Sequence, residues 1–238
     1  MNYQALDEAL EYIEFLNEAI DPDEGFGAKL RPVFVITMYT ASTFDHVVEK
    51  FVKGQEYWHA AIAFGPALSK CYSFNFGEAD ANKGKGGLSF ESVKGYADAH
   101  PEGTMEVNMI LLTPYKYKKI KEAFDFYIQH KEKTSYSFKN LLTQFMGKAE
   151  KKDGLKYSQV CSTFVDSILK AADIDINSKN TSLVKPDDLK NQEKFEKYYQ
   201  IYKGKFVDYD VKKMTKKVDK LANDANNDWF KYRKSTKK

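Results

Sequence analysis

The sequence predicts an α+β protein in which an antiparallel sheet packs against a helix carrying a cysteine in its first turn. Four β-rich runs read as strands: Pro32-Val-Phe-Val-Ile-Thr-Met-Tyr39, Glu56-Tyr-Trp-His-Ala-Ala-Ile-Ala-Phe64, Lys70-Cys-Tyr-Ser-Phe-Asn-Phe76 and Glu106-Val-Asn-Met-Ile-Leu-Leu-Thr113. The middle two form a hairpin through Gly65-Pro66. Two later stretches keep apolar residues at helical spacing, Tyr117, Ile120, Phe124, Tyr127 and Ile128 in one and Phe164, Val165, Ile168, Leu169 and Ala172 in the other. With 238 residues, 42% hydrophobic and 15% aromatic, the chain can bury a substantial core.

Taken in order, residues 3–20 predict an amphipathic helix, with Leu6, Leu10, Ile13, Leu16 and Ile20 on one face. Residues 21–27 are a loop by their Pro and Gly content. After the strand over 32–39, Ser42 or Thr43 caps a short helix over 44–52 that delivers the chain to Tyr57-Trp58-His59. The hairpin is followed by a polar, glycine-rich loop over 77–87 and a short strand at 88–90. Pro114 suits the first position of the helix that runs to about residue 133. Residues 136–145 pack as a further short helix or loop, and 148–156 are a charged linker. Beyond the cysteine helix, 173–190 are loop-like, 206–209 read as a last strand and 211–221 as a basic helix. Three regions are expected: an N-terminal helical extension over 1–31, a domain over 32–193 and a basic extension over 194–238.

The chemistry centres on Cys161. Ser158 is the expected N-cap, which places Cys161 at the third helical position. A helix N-terminus offers unpaired N–H groups and a partial positive charge, and both favour a thiolate. His59, at the start of its strand, supplies an imidazole, so the two residues make the halves of a thiol–imidazole pair. Cys71, the second cysteine, lies mid-hairpin with no helix end to lower its pKa. Two cysteines make no disulfide framework and fit free thiols in a reducing compartment. No phosphate-binding glycine loop follows a strand, and no Cys or His spacing suggests zinc.

Several local sequences support a family resemblance: Trp58-His-Ala-Ala-Ile-Ala63, Cys71-Tyr-Ser-Phe74, Gly86-Gly-Leu88, Val160-Cys-Ser-Thr-Phe-Val165 and Ser182-Leu-Val-Lys-Pro-Asp-Asp-Leu189. In that order, with the histidine before the cysteine, they resemble the circularly permuted papain-like fold of the NlpC-type superfamily. The branch is the YiiX-like and lecithin:retinol-acyltransferase-like one, in a subgroup of low-GC Gram-positive bacteria and their phages. The resemblance covers about residues 32–190. It implies a cysteine nucleophile, matched by Cys161, a histidine base, matched by His59, and a third polar residue on the strand after the histidine. That third position falls on Ser73 first and Asn75 second, since Tyr72, Phe74 and Phe76 form the opposite, apolar face.

The implied reaction is acyl transfer through a thioacyl intermediate, as in a cysteine protease or thiol protease-type hydrolase acting on an amide. The Cys161 N–H serves as an oxyanion donor, with Gln159 or Tyr157 as a second. No cofactor is required. Two other readings use the same sequence: a thiol acyltransferase or lipid amidase, and a non-catalytic structural module such as a virion component.

Net charge is +3, but residues 194–238 hold 14 Lys/Arg against 6 Asp/Glu, a local +8. That tail is the part expected to touch a polyanion, weakly, while the N-terminal helix is a candidate protein-docking element. No run of about 18 apolar residues and no basic-then-apolar leader is present, so a cytoplasmic or virion-associated protein without a transmembrane segment is expected.

Overall fold

The computed structural model describes residues 29–41, 54–75, 86–137, 157–177, 179–190 and 198–235, together with 139, 141 and 144. The expected helices over 3–20 and 44–52, most of the glycine-rich loop and the linker over 148–156 lie outside the described residues, as does His46.

The fold is α+β. Six strands, β1 (Arg31–Tyr39), β2 (His59–Ala63), β3 (Cys71–Asn75), β4 (Gly87–Glu91), β5 (Thr104–Leu112) and β8 (Tyr198–Lys205), form one sheet in the order β4-β3-β2-β1-β5-β8. Every neighbouring pair is antiparallel. A separate parallel pair joins β6 (Ser135–Tyr136) to β7 (Ser158–Gln159). The α-helices whose bounds lie among the described residues are α1 (Val93–Ala99), α2 (Pro114–Gln129), α3 (Cys161–Ala171) and α4 (Val211–Ser235).

The sheet is covered on both faces, which is why β1 and β5 are apolar at nearly every position rather than at alternate ones. Val35, Ile62, Tyr72, Phe74 and Ile110 face α2 and α3, and Phe164, Val165, Ile168 and Leu169 of α3 are fully buried against them. Each such side chain contributes about 1.5–3 kcal/mol on burial, enough to dock a helix of three turns. The opposite face, with Phe34, Ile36, Met38, Ala61 and Met105, packs against Val93 of α1 and Met214 and Val218 of α4.

Two expectations for the C-terminal region are corrected. The last strand is Tyr198–Lys205, and Phe206–Asp208 is a 3-10 turn instead. Because β8 pairs along β5 and α4 covers the sheet, residues 198–235 belong to the same core, and a boundary at 193/194 does not separate an extension from a domain. One helix was not expected: α1, begun by the Ser92 side chain accepting the Gly95 N–H at 3.0 Å.

Candidate active site

Cys161 opens α3. Val160 is the N-cap, so Cys161 is the first helical residue, and Ser158 lies in β7 rather than capping the helix. Thr163 Oγ1 accepts the Val160 N–H at 3.1 Å, closing the helix start from the inside. Ser162 Oγ donates to the Val184 carbonyl at 2.5 Å and ties the same turn to the 182–189 segment. The first-turn amides of α3 have no acceptor within the helix and stand beside the thiol.

His59 is the first residue of β2, opposite Met38 of β1. Its approach is fixed from a distance. The Asp187 carboxylate accepts the Tyr57 N–H at 2.8 Å and the Glu56 N–H at 2.9 Å, and Trp58 N–H donates to Met38 O at 2.9 Å. The segment over 182–189 thus bridges the histidine strand and, through Val184, the cysteine helix.

The Cys161 thiol is near enough to the His59 imidazole to bear on its charge, and it lies 3.9 Å from the carbonyl of Trp58, the residue before His59. The hydrogen-bond partner of the ring is Glu91, whose Oε2 and Oε1 lie 2.9 and 3.1 Å from Nε2. Burial opposes protonation of the ring, but the Glu91 carboxylate, and after it Cys161, more than offset this and hold the His59 pKa well above its ordinary value. Only 14% of the His59 side chain and 8% of the Glu91 side chain reach solvent, so the pair is little screened.

Glu91 is the residue that sequence reasoning missed. Ser73, Asn75, Ser89 and Glu91 do share the His59 face of the sheet, as alternation on β3 and β4 requires. Yet Ser73 Oγ donates to the Ala60 carbonyl at 2.6 Å and holds β3 to β2, not the ring. Asn75 Nδ2 donates to Glu91 Oε1 at 2.9 Å, one step removed from the imidazole. Ser89 Oγ lies 3.3 Å from the same oxygen, and the Tyr96 ring of α1 lies 6.2 Å from the imidazole. The signal was present in the strand at 88–90: extended by one residue, it ends in a carboxylate.

The two expected accessory oxyanion groups are elsewhere. The Gln159 side chain is fully buried and donates to the Tyr127 hydroxyl at 2.5 Å, pointing into the core. Tyr157 stacks on Phe126 at 5.8 Å and neighbours His130. Tyr136 of β6, by contrast, has its phenol pKa raised by burial and then by Cys161. Cys71 is 1% exposed on the same face of the sheet, opposite Glu91 of β4, and its thiol is raised by burial and then by Glu91. His100 and His130 cap α1 and α2 at their C-terminal ends. Gly87, at φ +137°, lets β4 pass close to Thr134, where a Cβ would sit 2.6 Å from Thr134 Oγ1.

Among the described residues no group of three or more His, Cys, Asp or Glu is placed to hold a metal, and no helix is long and apolar enough to cross a membrane. No protein-family model, curated protein or solved structure matches this chain.

Proposed function

We propose that this chain is a cysteine hydrolase with a circularly permuted papain-like fold, cleaving an amide bond through Cys161, His59 and Glu91. The observation that carries the reading is the Cys161–His59–Glu91 grouping: a thiol at a helix start, 3.9 Å from the carbonyl of the residue before His59, and an imidazole whose Nε2 is gripped by the Glu91 carboxylate. A buried Glu is a stronger imidazole orienter than the serine expected at the third position, and that strengthens the catalytic reading over a non-catalytic module.

With Nε2 on Glu91, Nδ1 is the nitrogen that serves the thiol. It takes the proton of Cys161 to give a thiolate–imidazolium pair. The thiolate attacks the substrate carbonyl, and the oxyanion is met by the backbone N–H of Cys161, with the Tyr136 hydroxyl as a second donor. The imidazolium protonates the leaving amine, and water, deprotonated by the same ring, releases the acyl group and regenerates the thiol. An amine or alcohol in place of that water turns the same residues into an acyltransferase.

Reaction of the native protein with iodoacetamide near neutral pH, followed by peptide mapping, tests this. Labelling is expected at Cys161 in preference to Cys71, and His59→Ala is expected to abolish the preference. Labelling led by Cys71, or unchanged by His59→Ala, overturns the reading.

A further inference from the structure

Helix α4 has two faces of opposite character. Its inner face closes the second side of the sheet, with Met214 and Val218 buried and Leu221, Ala222, Ala225 and Trp229 packed against the same core. Lys217, at the margin, serves the fold: its Nζ donates to the Ile201 carbonyl of β8 at 2.6 Å and lies 3.4 Å from that of Gln200. The outer face is different. At 100° per residue, Lys212, Lys216, Lys220, Asn223, Asn227 and Lys231 fall within an arc of about 100° and form a row about 28 Å long. All six are exposed, and each stands three or four residues from the next, so one of them tops every turn. Lys213 stands at the rim of the row, and Asp219, Asp224 and Asp228 lie to either side of it, not within it. Among the described residues Lys212, Lys216 and Lys220 make no ion pair, and Lys231 reaches Asp228 at 3.4 Å with both side chains open to solvent. Lys190, Lys203 and Lys205, by contrast, each lie within 2.8 Å of a carboxylate oxygen.

We propose that this row on α4 docks double-stranded DNA, gripping the phosphate backbone without reading sequence. The proposal is independent of the reading of Cys161 and His59. An acid-free line of unpaired cations complements a line of phosphates, and each contact releases condensed counterions. The Asn223 and Asn227 amides add N–H donors for phosphate oxygens between the charges. The row has no arginine, whose fork matches the edge of guanine, so its contacts position a duplex rather than select one. None of the six residues is aromatic, whereas single strands are held by stacking their bases on aromatic rings. The inner face decides against a lipid surface. A helix lying in a membrane interface sinks its apolar side into the bilayer, and that side of α4 is already packed on the sheet.

The test is fluorescence anisotropy of a labelled duplex of about 20 base pairs and mixed sequence, titrated with the full chain at about 50 and about 200 mM salt, with a thermal melt of every variant. The parent is expected to bind with micromolar affinity at the lower salt and to lose about a hundredfold at the higher, the slope for four lysine contacts. Replacing Lys212, Lys216 and Lys220 together by Gln is expected to weaken binding at least about tenfold at the lower salt and to flatten the salt dependence. A control triple, Lys94→Gln with Lys118→Gln and Lys133→Gln, removes the same charge from exposed positions on α1, α2 and the turn after α2, and is expected to stay within about twofold of the parent. Asn223→Asp with Asn227→Asp keeps every lysine and sets two carboxylates in the row. It is expected to weaken binding as well, and it decides the matter if the lysine triple does not fold. No binding by the parent at the lower salt, or equal losses in the two lysine triples, overturns the inference. Tighter binding of a single strand of the same length, or of vesicles containing phosphatidylglycerol, than of the duplex overturns it too.

Discussion

Asp187 Oδ1 accepts the backbone N–H of Tyr57 at 2.8 Å, across 130 residues of sequence. Its second oxygen accepts the N–H of Glu56, and Lys190 lies 3.1 Å from that oxygen. The carboxylate thus holds the two residues that lead into Trp58 and His59. Replacing Asp187 with Ala leaves both amides without this acceptor, at a cost of about 1–3 kcal/mol. The expected outcome is a lowered melting temperature together with slower alkylation of Cys161, and Asp187→Asn, which keeps one acceptor oxygen, should lie between. Unchanged alkylation in a destabilised Asp187→Ala protein would limit Asp187 to a stabilising part.

Glu91 and Ser73 make a decisive comparison. Glu91→Gln keeps the shape but removes the charge that raises the His59 pKa. The alkaline step in Cys161 alkylation should therefore move to lower pH, and the rate near pH 8 should fall on the order of tenfold. Ser73→Ala removes a hydroxyl bonded to a backbone carbonyl, so it should cost about 1 kcal/mol of stability and leave the pH profile in place. The reverse pattern would return the orienting part to Ser73.

Stability should carry the same signature. A histidine whose pKa is raised by folding contributes stability that is fully present below its ordinary value near 6.5 and is lost as pH rises through the raised value. The difference in melting temperature between the parent and His59→Gln should accordingly be largest at and below about pH 6.5 and shrink on the alkaline side. A difference that grows with pH would contradict the assignment of Glu91 and Cys161 as the dominant partners.

Removal of residues 211–238 should abolish the cooperative melt. Met214 and Val218 are buried in the sheet's second face, and Asn226 Oδ1 accepts the Leu30 N–H at 2.6 Å. Each large buried side chain lost costs about 2–5 kcal/mol, against a total near 5–15 kcal/mol for an ordinary domain. Circular dichroism and calorimetry of the truncated chain check this; a sharp transition at the parent temperature would show α4 to be dispensable.

Most of the site's frame was legible in the sequence. The strands over 32–39 and 106–113 and the helix begun by Pro114 follow from period and turn chemistry, and a cysteine at a helix start and a histidine at a strand start are local facts. Glu91 was not legible for a geometric reason. Its strand is two away from β2, and its long side chain passes Ser89 to reach the ring, so alternation along β3 alone leads to Ser73 and Asn75. The strand Tyr198–Lys205 was hidden by the β-bulge opposite Val107 and Asn108. The bulge leaves Tyr199 and Tyr202, three residues apart, on the same face, so no period of two survives. Phe206-Val-Asp-Tyr209 has strand composition, yet Phe206 turns inward under Gly103 and the chain winds into a single 3-10 turn.

The Leu30–Asn226 hydrogen bond, which spans 196 positions, has a consequence for synthesis. The first strand of the sheet is clasped by a residue that leaves the ribosome long after it, and Glu56 and Tyr57 wait 130 residues or so for Asp187. Cys161 emerges before Asp187, before β8 and before α4, so the nascent chain displays a thiol whose imidazole is not yet aimed. On the proposed reading, the strand that carries His59 would gain its frame only after Asp187 and β8 have been synthesised.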